Sequence, residues 1–150
     1  MPSIEIVDAT IAQKPIFEHL LELYRHDFSV YDDEDVGDDG RYGYPYLDRY
    51  WTEPGRHPYL LRVDGHLAGF ALVRSGDPSD MAEFFVMRKY RRGGVGTAFA
   101  RNLFDRFPGR WQVRQMRRNQ PAQTFWRRII PVAFEEGEWD EGPMQTFTIP

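Results

Sequence analysis

One carboxylate, Glu83, stands inside an otherwise apolar run from Met81 to Met87 and is the only ionisable residue in it. A carboxyl held half out of water keeps its proton longer than one in solution, which suits it to take a proton from an ammonium near neutrality. The plainer alternative is a strand glutamate that faces solvent or pairs with an arginine. Shortly after it the chain reads Arg91-Arg92-Gly93-Gly94-Val95-Gly96, followed by Thr97. Backbone N–H groups with few Cβ atoms in the way, opening a helix whose first turn has unpaired donors and a positive dipole end, bind phosphate well. The residue types therefore suggest proton removal beside phosphate binding.

Several elements are needed to position these groups. After the basic turn, Val95, Phe99, Leu103 and Phe107 recur every four residues with Ala98 and Phe104 beside them, so the order is strand, loop, helix. Pro108-Gly109 stop that helix, and Trp111 to Val113 read as a buried strand, which makes a crossover between two parallel neighbours. Upstream, Ile4 to Val7 read as a strand. Pro15 and the stripe Ile16, Phe17, Leu20, Leu21, Tyr24, Phe28 predict a helix to about Asp27. Tyr59–Val63 and His66–Arg74 flank Asp64-Gly65, a hairpin dipeptide. Within the second strand of that hairpin, the small Gly69 marks either close approach of another backbone or a twist. The segment 75–80 reads as a turn, and a short helix is expected from about Tyr46 to Trp51. A later helix is expected from about Ala122 to Ile130, and Val132–Glu136 with Met144–Ile149 as a closing strand pair.

Composition limits the function classes. The chain has 150 residues, enough for one domain over residues 1–150, with 41% hydrophobic and 28% charged residues. Without cysteine there are no disulfides, thiol nucleophiles or thiolate metal sites, and His19 and His26 are not paired into a metal site. No metal is expected. No apolar run is long enough to span a membrane, and the N-terminus has no secretory leader, so a cytoplasmic protein is expected.

The net charge of −4 hides a segregation: twelve of the nineteen Lys and Arg lie between Arg88 and Arg128, against the single carboxylate Asp105. Such a field draws a polyanion, and the low pI and the absence of a reader motif argue against nucleic acid. Conversely, the segment from Tyr31 to Gly40 holds six carboxylates in ten residues. It reads as a loop, either solvated or forming an acidic wall that attracts a cationic amine.

The pattern Arg91-x-x-Gly94-x-Gly96 after an apolar strand, with Asn119-x-x-Ala122-x-x-Phe125-Trp126 downstream, resembles the GNAT superfamily of N-acetyltransferases. The resemblance implies an α/β (α+β) fold: a mixed, mostly antiparallel central sheet of six to seven strands, a parallel splayed pair at its centre, and flanking helices. It implies acetyl-CoA as cosubstrate, its pyrophosphate on the amides of Gly93, Gly94, Val95, Gly96 and Thr97, with Arg91 and Arg92 as supporting charge. The backbone of Phe85, Val86 and Met87 would take the pantetheine arm. Asn119 is either a coenzyme contact or an ordinary turn residue. Trp126 stands where many members place a tyrosine near the coenzyme sulfur, and an indole N–H donates a hydrogen bond but gives up no proton.

The expected activity is acetyl transfer to a primary amine of a small molecule or peptide, with Glu83 as base. The alternative is a module of the same fold that binds acetyl-CoA as a ligand and transfers nothing. Expected partners are the coenzyme A thioester and an amine acceptor, with neither nucleic acid nor membrane, and a homodimer is left open.

Overall fold

The computed structural model describes residues 2–150. Its seven strands form one sheet in the order β1-β2-β3-β4-β5-β7-β6. The first four are β1 (Ile4–Asp8), β2 (Arg56–Val63), β3 (His66–Arg74) and β4 (Ser79–Val86), an antiparallel run of neighbours. The last three, β5 (Gly109–Arg114), β6 (Glu135–Trp139) and β7 (Gly142–Ile149), pair antiparallel among themselves. Among the described residues only β4 and β5 run parallel. Four helices flank the sheet: α1 (Lys14–Asp32), α2 (Arg49–Thr52), α3 (Val95–Arg106) and α4 (Gln120–Ile129).

The alternation of side chains along the strands gives the sheet two apolar faces. Leu60, Phe70, Leu72 and Phe85 meet Phe17, Leu20, Leu21 and Tyr24 of α1 on one face. Leu61, Ala71, Val73 and Trp111 meet Phe99, Leu103 and Phe104 of α3 and Trp126 and Ile129 of α4 on the other. The mixed, mostly antiparallel sheet with a central parallel pair is the expected one.

Local chemistry explains several boundaries. Asp64 and Gly65 have φ of 49° and 83°, the doubly positive turn that a two-residue hairpin needs, and they fix Val63 opposite His66. Pro15 sits in the first turn of α1, and Asp33 ends the helix in a left-handed conformation at φ 58°. α1 thus runs one turn further than its apolar stripe indicates, taking Tyr31 and Asp32 out of the acidic loop. β6 also differs from expectation: it lies on Glu135–Trp139, inside the acidic segment, and Val132–Phe134 are loop. Its residues are mostly exposed at the sheet's edge, where charge deters pairing with another chain. The short helix is confined to α2 by a turn over residues 45–48.

Gly69 answers to close approach. A Cβ there would stand 2.0 Å from the Phe85 carbonyl oxygen across the β3–β4 pair. Gly69→Ala is therefore expected to force the two strands apart and destabilise the fold by about 1–3 kcal/mol, read by denaturant titration. A loss under about 0.5 kcal/mol would mean that the sheet yields there freely.

Candidate active site

The site begins where β4 leaves β5. The two strands are paired only at Ser79↔Trp111 and Asp80↔Gln112, and from there they diverge. An irregularity opposite Leu72/Val73 places one extra residue, Ala82, in β4 between Met81 and Glu83. Such a bulge bends and twists the strand that carries it, which turns β4 away from β5 just past their last paired residues.

The apex of this V is pinned by a buried carboxylate that the sequence reading left in a turn. The Asp80 side chain is 4% exposed and holds Arg74 of β3 through Nη2 at 2.6 Å and Arg114 of β5 through Nη2 at 2.7 Å. Arg114 adds a second contact from Nε at 3.3 Å, and its guanidinium lies 4.9 Å from the centre of the Trp139 ring. Three strands are thus tied at one point. The far arm of the V is held by a polar relay across four elements. Arg127 of α4 pairs with Glu136 of β6, which accepts from Gln145 of β7, which in turn accepts from Gln115 just past β5 at 2.7 Å.

Between the arms lies a cavity of about 950 Å³. Glu83, Phe85, Val86, Arg91, Arg92, Gly94, Gly96, Thr97, Asn119 and Trp126 all line it, so residues distant in sequence come to one space. Gly94 caps α3 in a left-handed conformation at φ 78°, and nothing lies within 4 Å of where its Cβ would be. Gly96, in the first turn, lies against the Phe125 ring, 3.3 Å from where a Cβ would stand.

Three other candidate residues are placed differently. The N–H of Met87 bonds to the Ala68 carbonyl at 2.7 Å and its carbonyl accepts from Tyr90, so both main-chain groups are already used. Val95, the first residue of α3, is buried in the core, and Gly93 is exposed and lies outside the cavity lining. Arg91 lines the cavity, but its Nε donates to the Val86 carbonyl at 2.7 Å and its Nη2 pairs with Asp27 of α1 at 2.9 Å. Arg88 shares the same carboxylate at 2.6 Å, so α1 is strapped to the loop that precedes α3.

Glu83 faces the α1 side of the cavity among groups the sequence reading did not connect with it. Its carboxyl is pushed up to about 7 because burial penalises the charge, against the pull of Arg25, the adjacent Tyr24 hydroxyl and Arg114. Tyr24 and Tyr44 line the same cavity, and burial together with the Glu83 charge raises both phenols, which keeps them protonated. Arg25 is held by α1 and by its Nη1 bond to the Gly43 carbonyl at 3.2 Å. These neighbours come from α1 and from residues 42–48, and no spacing rule links them to β4.

The remaining candidates play visible structural parts. Asn119 caps α4: its Oδ1 accepts from the Ala122 N–H at 3.1 Å. Trp126 packs against Phe84, Phe104 and Phe125 with ring centroids 5.0–6.2 Å apart. Of the acidic stretch 32–39, only Asp32 borders the cavity. Among the described residues four carboxylates and six guanidinium groups line it.

The chain is similar to known acetyltransferases over most of its length. The family model described as Acetyltransferase (GNAT) family matches residues 17–130. A GNAT-family acetyltransferase from Staphylococcus aureus Mu50 superposes with a TM-score of 0.71 at 13% identity, covering 99% of this chain and 100% of that one. The ribosomal-protein-S18-alanine N-acetyltransferase of Escherichia coli gives 0.69 at 15% identity, over 98% and 94% of the two chains. A GNAT acetyltransferase of Elizabethkingia anophelis with acetyl-CoA bound gives 0.66 at 13% identity, over 97% and 98%. No curated protein matches the chain in sequence.

Proposed function

The chain belongs to the GNAT family of acetyltransferases, and we propose that it moves an acetyl group from acetyl-CoA to a primary amine of a small molecule or peptide by direct attack. The observation that carries this reading is the single cavity joining the start of α3, the divergent arms of β4 and β5, and a carboxyl pushed up to about 7. Its dimensions and charge fit a coenzyme A thioester. The cavity is large enough for a pantetheine arm beside a small acceptor, the opening glycine Gly94 leaves its amides uncovered, and guanidinium groups outnumber carboxylates on the walls.

In this reading the amides of Gly94, Gly96 and Thr97 and the charge of Arg92 hold the diphosphate, while the parted edge of β4 takes the pantetheine arm. Glu83 removes a proton from the incoming ammonium. The neutral amine then attacks the thioester carbonyl carbon, the carbon–sulfur bond breaks, and the sulfur leaves with the bonding pair and takes up the second proton, which the nitrogen sheds. Trp126 can donate only a hydrogen bond, and Tyr24 and Tyr44, whose phenols burial raises, likewise keep their protons and serve as hydrogen-bond donors on Glu83's side of the cavity.

Release of free thiol from acetyl-CoA with a broad amine panel tests the reaction. Coenzyme binding is tested separately by calorimetry on Gly94→Val and Gly96→Val. The first strains a left-handed residue and the second drives Phe125 into the cavity, so each is expected to raise the Kd for coenzyme A about tenfold or more. Unchanged affinity in both would remove the loop from the site. A second reading, a module that binds acetyl-CoA without transfer, is favoured by the buried indole at Trp126. It prevails if coenzyme A binds and no amine is acetylated.

A further inference from the structure

We propose that the acceptor is a small amine with a carboxylate close to its nitrogen, an α-amino acid with an apolar side chain, whose carboxylate is received by Arg25 while its amino group faces Glu83. This rests on the acetyltransferase reading above and adds the substrate class.

The balance of charge on the Glu83 side of the cavity points there. Arg25 makes no ion pair among the described residues, and the bond to the Gly43 carbonyl uses one of its five N–H donors. Glu22, one turn earlier on α1, is committed elsewhere: its two oxygens accept the N–H groups of Tyr42 at 2.8 Å and Gly43 at 2.9 Å. The same loop is therefore clamped by a carboxylate and a guanidinium together, and the guanidinium keeps its remaining donors. On the opposite wall Arg114 shares the single carboxylate of Asp80 with Arg74 of β3, which lies outside the lining, so that Arg114 has no carboxylate of its own. Asp27 is saturated by Arg88 and Arg91.

The other carboxylates on the walls are the half-buried Asp32 and the exposed Glu141, which solvent ions screen in part. A purely cationic acceptor would thus bring its charge to a floor that already has too much of that sign. An acceptor bearing a carboxylate corrects the imbalance, and a guanidinium with free forked donors is the group that receives carboxylates in two-point geometry. The cavity must hold the coenzyme arm as well, so the acceptor is small. Phe28, Tyr31, Tyr44 and Trp139 on the walls fit an apolar side chain.

Matched pairs of acceptors test this: phenylalanine against phenylethylamine, and leucine against isoamylamine, with thiol release from acetyl-CoA as readout. The amino acids are expected to show a kcat/KM about tenfold to a hundredfold higher, the range of a charge-assisted hydrogen bond. Arg25→Gln is expected to bring the ratio within each pair close to one by raising KM for the amino acid, and Arg25→Lys to restore part of it. A merely structural role for Arg25 would lower both members of a pair alike and leave the ratio standing, which overturns the proposal. Equal or better turnover of the carboxyl-free amines also overturns it and leaves the acetyltransferase reading intact. If no acceptor in any pair releases thiol while coenzyme A still binds, amino acid acetylation is refuted; if coenzyme A gives no heat either, the wider reading falls with it.

Discussion

Replacing Glu83 by Gln is expected to lower kcat by about a hundredfold to a thousandfold and, at the same time, to make the folded protein more stable above neutral pH. Both effects follow from one environment. Burial raises the folded-state carboxyl to about 7, while in the unfolded chain it titrates near the model value of 4.5. Between those two values the folded state holds a proton that the unfolded state has released. Stability from this group is thus fully present below pH 4.5, falls as pH rises, and is gone above about 7. The penalty carried at high pH is at most about 3 kcal/mol, and Gln does not carry it.

For the reaction the sign is opposite, because the base must be unprotonated. The wild-type rate should rise with pH to an inflection near 7, and this acid limb should vanish in Glu83→Gln. Steady-state pH profiles and denaturant titrations at pH 5 and 8 check the pair of outcomes. An unaltered pH profile would exclude Glu83 as the base, and a variant no more stable at pH 8 would show that the carboxyl is not held against its charge.

Asp80→Ala should unlock the apex of the V. The full loss on breaking a buried ion pair is about 3–5 kcal/mol. Arg74 and Arg114 are 41% and 27% exposed and find water when released, so about 2–3 kcal/mol is expected. For a chain of this size that is a fall in Tm of about 5–10 °C. A second effect identifies the electrostatics. The Asp80 charge is one of the influences that raise Glu83, so its removal should move the acid limb of the rate profile to lower pH. A loss under about 0.5 kcal/mol with an unmoved limb would reduce Asp80 to a surface ion pair.

The sheet and the glycine-bearing start of α3 were legible in the sequence because local rules set them. Tyr59–Val63 and His66–Arg74 flank a turn dipeptide that needs positive φ twice, and α3 repeats its apolar residues every four positions. What was hidden depends on partners distant in the chain. Asp80 follows Ser75-Gly-Asp-Pro and looks like turn chemistry. Its burial is decided by arginines on two other strands, whose register the sequence does not display. A lone aspartate at the entry to an apolar strand, with Arg74 close before it, was the available signal. Glu83 was visible as an anomaly, but Tyr24, Arg25 and Tyr44 reach it from α1 and the loop beyond. β6 was expected three residues too early, at Val132–Glu136, because an exposed edge strand is not apolar. Composition left the acidic stretch as either a solvated loop or an acidic wall, and only its first residue borders the cavity.

The two-residue seam between β4 and β5 also divides the molecule by persistence. On one side lie the four antiparallel strands β1–β4, on the other β5, β7 and β6, each block bonded along its length and joined to the other through Ser79–Asp80 and Trp111–Gln112. Amide deuteration should accordingly sort into two cooperative units, with slow exchange inside each block and early labelling along the facing edges of the gap. A ligand that bridges those edges would act as the missing rungs, so its arrival would be recorded as protection spreading across the seam.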